Sequence, residues 1–217
     1  MNYRVRDGLH YCHVSSHIVF LNLVADRYFA LQPDKAAQFD RLLSGAELAA
    51  ETTAIASSFM RQNLLVESDA ELDKPPVLPE LGQSLAITRA PTPSMRRSLE
   101  ALTSLVKWRV RYSRRGLPAI AARYRLGSGP VDFEPRVSVA DIIAAFSWAE
   151  QIVTAHDHCV PRSVALASTL RANGFAPTVV IGVQLRPFAA HCWVQLGADI
   201  ANDQLDTIRP YTPILVM

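Results

Sequence analysis

Three side chains have the types and setting for nucleophilic acyl chemistry: Cys159, His191 and Asp203. Cys159 stands just before Pro161, where a helix begins well because proline's missing N–H needs no partner in a first turn. At a helix N-terminus the macrodipole and free N–H groups favour thiolate over thiol, the form that attacks a carbonyl. The same N–H groups can hold an oxyanion. His191 follows 32 residues later, in the strand-like run Ala190 to Leu196. Alternation puts His191, Trp193 and Gln195 on one face, and Cys192, Val194 and Leu196 on the other. A hairpin turn near Gly197–Asp199 predicts pairs whose residue numbers sum to about 394 or 395, which sets Asp203 opposite His191 or Cys192. A carboxylate there orients an imidazole and stabilises its charged form, so the three read as nucleophile, base and orienter.

Spacing alone leaves blander readings open. A lone cysteine in an apolar domain is often an inert core thiol, a lone strand histidine is often structural, and Asn202-Asp203 is also a turn sequence. His156, His158 and Cys159 are crowded and have no clear fourth ligand, so they argue poorly for a metal. Gly127-Ser-Gly129 is a loop without the strand or Walker pattern that nucleotide binding requires. Neither a metal nor a cofactor is expected.

These residues need a scaffold, and the pattern supplies one. Ser94 to Tyr112 predicts a helix with Leu99, Leu102, Leu105, Val106 and Trp108 on one stripe. Ser138 is a credible N-cap for a helix from about Val139 to Thr154, and Pro161 to Asn173 is a further helix stopped by Gly174. Thr178 to Leu185, Ala190 to Leu196 and Ile200 to Asn202 read as strands. Near the N-terminus Leu9 to Val14, His17 to Val24 and Arg27 to Leu31 predict three strands, with Ala25-Asp26 as a hairpin turn. A helix then starts at Pro33, carries Ala36, Ala37, Phe39, Leu42 and Leu43 at helical spacing, and ends at Gly45. A second helical stretch covers about Thr52 to Gln62, before the short apolar Leu64-Leu65-Val66. The expected class is α+β.

The charge divides the chain. Residues 1–80 carry a net −4 and residues 81–217 a net +6, giving +2 for all 217 residues. Five of the 14 prolines fall between 72 and 95, where they favour extended backbone. We therefore read a first domain at 1–71, a linker at 72–95 and a second domain at 96–217. With 49% hydrophobic and 19% charged residues, the chain is not of disordered composition. Cys12, Cys159 and Cys192 form neither a disulfide framework nor a CxxC pattern. No stretch approaches 18 uninterrupted apolar residues, and no secretory signal is recognisable. The expectation is a cytoplasmic protein that binds neither membrane nor nucleic acid. From Arg96 to Arg125 there are nine Lys/Arg and one acid, Glu100. This is either a solvated helix face or a docking surface for the acidic first domain, a peptide or a partner enzyme.

The run Cys159-Val-Pro-Arg-Ser-Val-Ala-Leu-Ala, with Gly174-Phe, Ile181-Gly-Val, Pro187-Phe-Ala-Ala-His191-Cys-Trp-Val and Asn202-Asp203, resembles the B proteins of lasso-peptide biosynthesis. Those are transglutaminase-like, papain-like cysteine peptidases that remove the leader from a ribosomally made precursor. The resemblance implies Cys159 as nucleophile, His191 as general base and Asp203 as orienting acid. Ile18 to Leu23, Asp26 to Leu31 and Ala36 to Leu43 resemble that family's leader-recognition element, a small winged helix-turn-helix of the kind seen in coenzyme PQQ maturation. It implies that a leader adds as a strand near Arg27, Tyr28, Phe29 and Leu31, beside apolar residues between Ile55 and Leu64. The implied partners are the precursor peptide and a lasso cyclase. Two positions depart from the family pattern: Cys192 stands where alanine is usual, and Gln195 where an acid is common. The same triad would serve a transglutaminase-type acyl transferase, and a non-catalytic adaptor delivering precursor to the cyclase is a third reading. Nothing in the residues calls for ATP, which stays unassigned.

Overall fold

A computed structural model describes residues 2–44, 50–68, 81–85, 92–126, 134–135, 137–153 and 159–217. The chain divides into two compact units, Met1–Pro76 and Val77–Met217.

In the first unit, β2 (Leu9–Val14), β3 (His17–Asn22) and β4 (Arg27–Leu31) form an antiparallel meander in that order. The β3–β4 turn is held by Asn22 Oδ1, which accepts the Ala25 N–H at 3.1 Å, while Asp26 takes a left-handed φ of 50°. α1 (Pro33–Leu43) has proline in its first turn and buries Ala36, Phe39, Leu42 and Leu43. Ala37 faces out, contrary to the predicted stripe. The predicted stop at Gly45 lies outside the described residues. After α2 (Ala50–Arg61) comes β5 (Leu65–Ser68), which pairs antiparallel with β1 (Asn2–Val5), Val5 opposite Leu65. The expected order of three strands then helices is thus extended by a second, two-stranded sheet. β1 escaped the pattern because Asn2-Tyr-Arg-Val is four residues long and its partner lies some sixty residues away.

Aromatic rings tie this unit together. Phe20 of β3 meets Phe39 of α1 edge-on at 5.3 Å, and Phe39 meets Phe59 of α2 edge-on at 5.4 Å. Tyr11 on β2 closes on Phe39 at 5.8 Å. Such T-shaped pairs add roughly 0.5–1.5 kcal/mol each beyond the area they bury.

The second unit begins with α3 (Met95–Leu126), which bends at Gly116, where φ is 68° and ψ −174°. Only glycine takes that conformation without strain, and Pro118 then starts the second half. The buried stripe of the first half is Ser98, Ala101, Leu105 and Trp108. This corrects the predicted stripe, since Leu99 and Val106 are 50% and 45% exposed. α4 (Val139–Ile152) starts as expected, with Ser138 Oγ accepting the Asp141 N–H at 3.1 Å. α5 (Cys159–Ala172) begins at the cysteine itself and ends before Gly174, at φ 95°.

β6 (Pro177–Leu185), β7 (Phe188–Leu196), β8 (Asp199–Ile200) and β9 (Thr212–Val216) make one antiparallel sheet in the order β8-β7-β6-β9. α6 (Leu205–Ile208) links β8 to β9. α5 packs on β6 and β7, and α3 packs on α4 and α5. The predicted third strand, Ile200 to Asn202, is only partly formed: pairing ends at Ile200 and the chain bends through 201–203.

Residues 81–85 fall inside the stretch read as linker, and they lie along β8. Gly82 N–H donates to Ala198 O at 2.9 Å, Ile200 N–H donates to Gln83 O at 2.9 Å, and Ser84 bridges Ile200 in parallel. A Cβ on Gly82 would come within 2.7 Å of Asp199 Oδ1, so the close approach needs glycine. Residues 72–80 and 86–91 of the same stretch lie outside the described residues.

Candidate active site

The site is built where α5, β7 and the bend after β8 converge. β7 carries His191, Cys192 and Trp193 on alternating faces. Cys192 goes inward and is fully buried, which pushes its thiol well above the ordinary range. His191 faces the other way, 19% exposed. Its Nε2 donates to Asp203 Oδ2 at 2.6 Å, and the Cys159 side chain interacts with the same ring. With Nε2 committed to the carboxylate, Nδ1 is the nitrogen left for the thiol.

The electrostatics follow from these contacts. The Asp203 hydrogen bond, with Cys159 second, raises the His191 pKa from 6.5 to about 9, against the opposing effect of burial. Burial works to raise Asp203, but the His191 hydrogen bond, the Gln204 backbone N–H and the charges of His191 and Arg162 together hold its carboxyl below the ordinary value. An imidazolium and a carboxylate are the species this geometry favours.

Asp203 is fixed from several sides. Arg162, three residues beyond Cys159 on α5, sends Nη2 to the same Oδ2 at 3.2 Å and to Asn202 O at 3.2 Å. Its Nε lies 3.8 Å from Glu150 of α4, whose carboxyl burial raises above the usual range while Arg162 lowers it. Gln204 N–H donates to Asp203 Oδ1 at 2.9 Å, and Ser84 Oγ donates to the Asp203 carbonyl at 2.5 Å. The neighbouring Asn202 continues the work of the lost β8 pairing. Its Oδ1 accepts the Val194 N–H at 2.8 Å, and its Nδ2 donates to Ser163 Oγ at 3.0 Å. Ser163 Oγ in turn donates to Cys192 O at 2.8 Å, so α5 and β7 are bonded beside the histidine.

The imidazole also has walls. Trp193 stacks at 6.4 Å between centroids, and Tyr211 lies at 5.4 Å on a tilt. Gly182, opposite His191 across β6, makes room for them. A Cβ there would sit 2.7 Å from the Trp193 ring and 2.9 Å from Tyr211 Cβ. Gln195 is fully buried on that face, its Oε1 accepting from Trp193 Nε1 at 3.3 Å.

Cys159, His191 and Asp203 are therefore brought together. The four residues expected to meet peptide lie on β4, an edge of the meander in the first unit. Arg27 is exposed and Tyr28 half-buried; Phe29 is 37% exposed and stacks on Phe20 at 5.0 Å. Leu31 goes into the core. Sequence reasoning gave no role to Arg162, Glu150, Asn202, Ser163 or Tyr211. Two of these signals were in the quoted motifs: an arginine one turn after the nucleophile faces the same way as it, and an asparagine beside the acid can bond a strand edge. Glu150 and Tyr211 left no local signal. Among the described residues no group of three His, Cys, Asp or Glu side chains could hold a metal, and no helix is long and apolar enough to cross a membrane. His156 and His158 lie outside those residues.

No curated protein matches the chain, and no solved structure does. A model of a family described as the transglutaminase-like superfamily does match, over residues 102–216. Those residues hold Cys159, His191 and Asp203 and run from α3 to β9. Enzymes of this superfamily are generally cysteine peptidase-like, and a thiol, an imidazole and a carboxylate in this order fit either a peptidase or an acyltransferase. With just over half of its length matched, the chain belongs to the transglutaminase-like superfamily.

Proposed function

We propose that this chain is the leader peptidase of a lasso-peptide pathway, cutting a ribosomally made precursor between leader and core with Cys159, His191 and Asp203. The observation that carries the catalytic part is the 2.6 Å bond from His191 Nε2 to Asp203, made beside a cysteine at the first residue of α5. In this reading the Cys159 sulfur attacks the scissile carbonyl as thiolate, its proton held on His191 Nδ1. The Cys159 backbone N–H helps hold the oxyanion. Collapse passes that proton to the departing amine of the core and leaves the leader as a thioester on Cys159. Water, deprotonated by His191, then releases the leader acid and the free thiol.

The first unit is read as the recognition element of winged helix-turn-helix type. Supporting this are strands before helices and β4 at a sheet edge, with the exposed side of Phe29 upon it. A leader would add beside β4 through backbone hydrogen bonds, and the stretch after β5 would raise the local concentration of the scissile bond. A cyclase is the partner that would consume the freed core N-terminus, in the cytoplasm.

The test is mass spectrometry of a leader–core precursor taken from a neighbouring reading frame, incubated with wild type and with Cys159→Ala, with and without the cyclase. Leader released as the free acid by wild type only is the expected result. A leader joined to an added amine makes the protein an acyl transferase. Leader binding by both forms with cleavage by neither makes it an adaptor.

A further inference from the structure

The bend of α3 at Gly116 has a second product: a groove of about 850 Å³ in the second unit, between the two halves of α3 and the C-terminal turns of α5. Lys107 and Arg111 line it from the first half of α3, Arg123 from the second, and Arg171 from α5. The one carboxylate on its rim, Glu100, is already paired with Arg96 at 2.9 Å and Arg97 at 3.2 Å. Among the described residues Lys107, Arg111 and Arg123 are in no ion pair. Two guanidinium groups lie against aromatic walls: Arg111 is 5.5 Å from the Trp108 centroid and Arg171 is 5.7 Å from that of Tyr124. Arg171 also donates to Pro177 O at 3.3 Å, which pins it further. The Arg111 guanidinium, stacked on Trp108, can turn its N–H edges to a planar anion while giving up little further conformational freedom, and Arg171, held by its own hydrogen bonds, adds fixed positive charge.

We propose that this groove binds an acidic peptide segment in extended form. Several features choose a peptide over a phosphate-bearing ligand. Phosphate sites draw on helix N-termini and nests of backbone N–H groups. This groove abuts the C-terminal turn of α5, at Ala172 and Asn173, whose partial negative charge disfavours a dense anion. Its positive charge is carried by separated side chains instead. Lys107 and Arg111 are one helical turn apart, about 6 Å. Carboxylates on alternate residues of an extended peptide are spaced about 6.6 Å, which matches that step. The site is separate from the thiol: Arg171 lies twelve residues along α5 from Cys159, about 18 Å at 1.5 Å per residue. The inference does not rest on the peptidase reading.

The experiment uses full-length Cys159→Ala protein and a fluorescein-labelled (Glu-Ala)3 peptide, read by anisotropy, with the (Gln-Ala)3 peptide and tripolyphosphate as comparisons. Expected are saturable binding of the acidic peptide and no binding of the neutral one. Affinity should fall at least about tenfold in Arg111→Glu and in the exposed-site variant Lys107→Glu, and also as salt rises from 50 to 300 mM. Arg111→Gln, which removes the charge without reversing it, should give an intermediate loss. Circular dichroism checks that each variant is folded. Binding that is absent, or that is unchanged in folded Lys107→Glu and Arg111→Gln, overturns the proposal. Tripolyphosphate that binds these residues more tightly than the peptide overturns the assignment to a peptide.

Discussion

The two units handle polarity in opposite ways. Among the described residues the first builds its interior from apolar side chains, with Ile18, Phe20, Phe39 and Phe59 at most 2% exposed, and the ion pairs Arg4–Asp7 and His13–Asp40 are on the surface. The second draws Arg162, His191 and Asp203 inward to 20%, 19% and 10% exposure and bonds them to one another. Half-buried charge tends to cost stability unless every partner is in place, so the second unit concentrates its cost where a reaction needs preorganised dipoles. Among its described residues the first unit has no such buried charged cluster, as suits a domain whose proposed work is to present a strand edge.

Breaking the charged network should therefore cost turnover more than folding. Asp203→Asn leaves the shape nearly unchanged but removes the charge that orients and raises His191. A loss of about 10³–10⁴ in kcat is expected for leader cleavage. Arg162→Gln should cost less, about tenfold to a hundredfold, and circular dichroism should show both variants folded. Unfolding of the second unit by Asp203→Asn would mean that the network is a structural core.

The aromatic unit should show the reverse. Phe39→Ala removes a ring that touches Tyr11, Phe20 and Phe59 and should destabilise the first unit by about 3–5 kcal/mol in a urea titration. Labelling of Cys159 by iodoacetamide should be unaffected, since the thiol belongs to the other unit. A parallel loss of thiol reactivity would show that the units depend on each other.

A pH series separates them more gently. His191 is raised above its unfolded value, so its contribution to stability is fully present below about pH 6.5 and is lost as pH climbs through about 9. The second unit should lose a few degrees of Tm between pH 6.5 and 9, on the order of a 1 kcal/mol change. In His191→Asn that decline should be smaller. An equal decline in both would assign the effect elsewhere.

The smallest effect belongs to the surface. His13 and Asp40 are 45% and 46% exposed, and Asp40→Asn should change stability by no more than about 0.5–1 kcal/mol, less in high salt. A larger loss would mean that the first unit too relies on charge.

How much of this was visible in the sequence depended on distance along the chain. Cys159, His191 and Asp203 were singled out by residue type, a proline, strand alternation and hairpin arithmetic; the observed pairs Gln195↔Ile200 and Leu196↔Asp199 sum to 395, but the pairing stops there and Asp203 reaches His191 from the bend that follows. The meander was equally legible, because each strand pairs with its neighbour in sequence. β1 and β5 were not, since neither is long enough to carry a period and each is completed only by the other. On α3 the period was right and its phase only partly so, since Leu105 and Trp108 are buried as expected but Leu99 and Val106 are not. Apolar residues occupy two faces of that helix, and only packing decides that Ala101 and Leu105 go inward while Leu99 and Val106 do not. Glu150 is beyond any local reading: its partner is on another helix, and its significance is a charge seen across a gap.

The way His191 is held has a further chemical consequence. Its Nε2 is engaged by Asp203 at 2.6 Å, beside Trp193 and Tyr211, and turning the ring over would break that bond. In the proposed mechanism both proton transfers must then pass through one atom, Nδ1. The departing amine and the incoming nucleophile use the same berth in succession, and water can enter only after the amine has gone. Whether such a centre cuts or joins is then a contest of residence times at a single berth, decided by how quickly the first product drifts away and what arrives next.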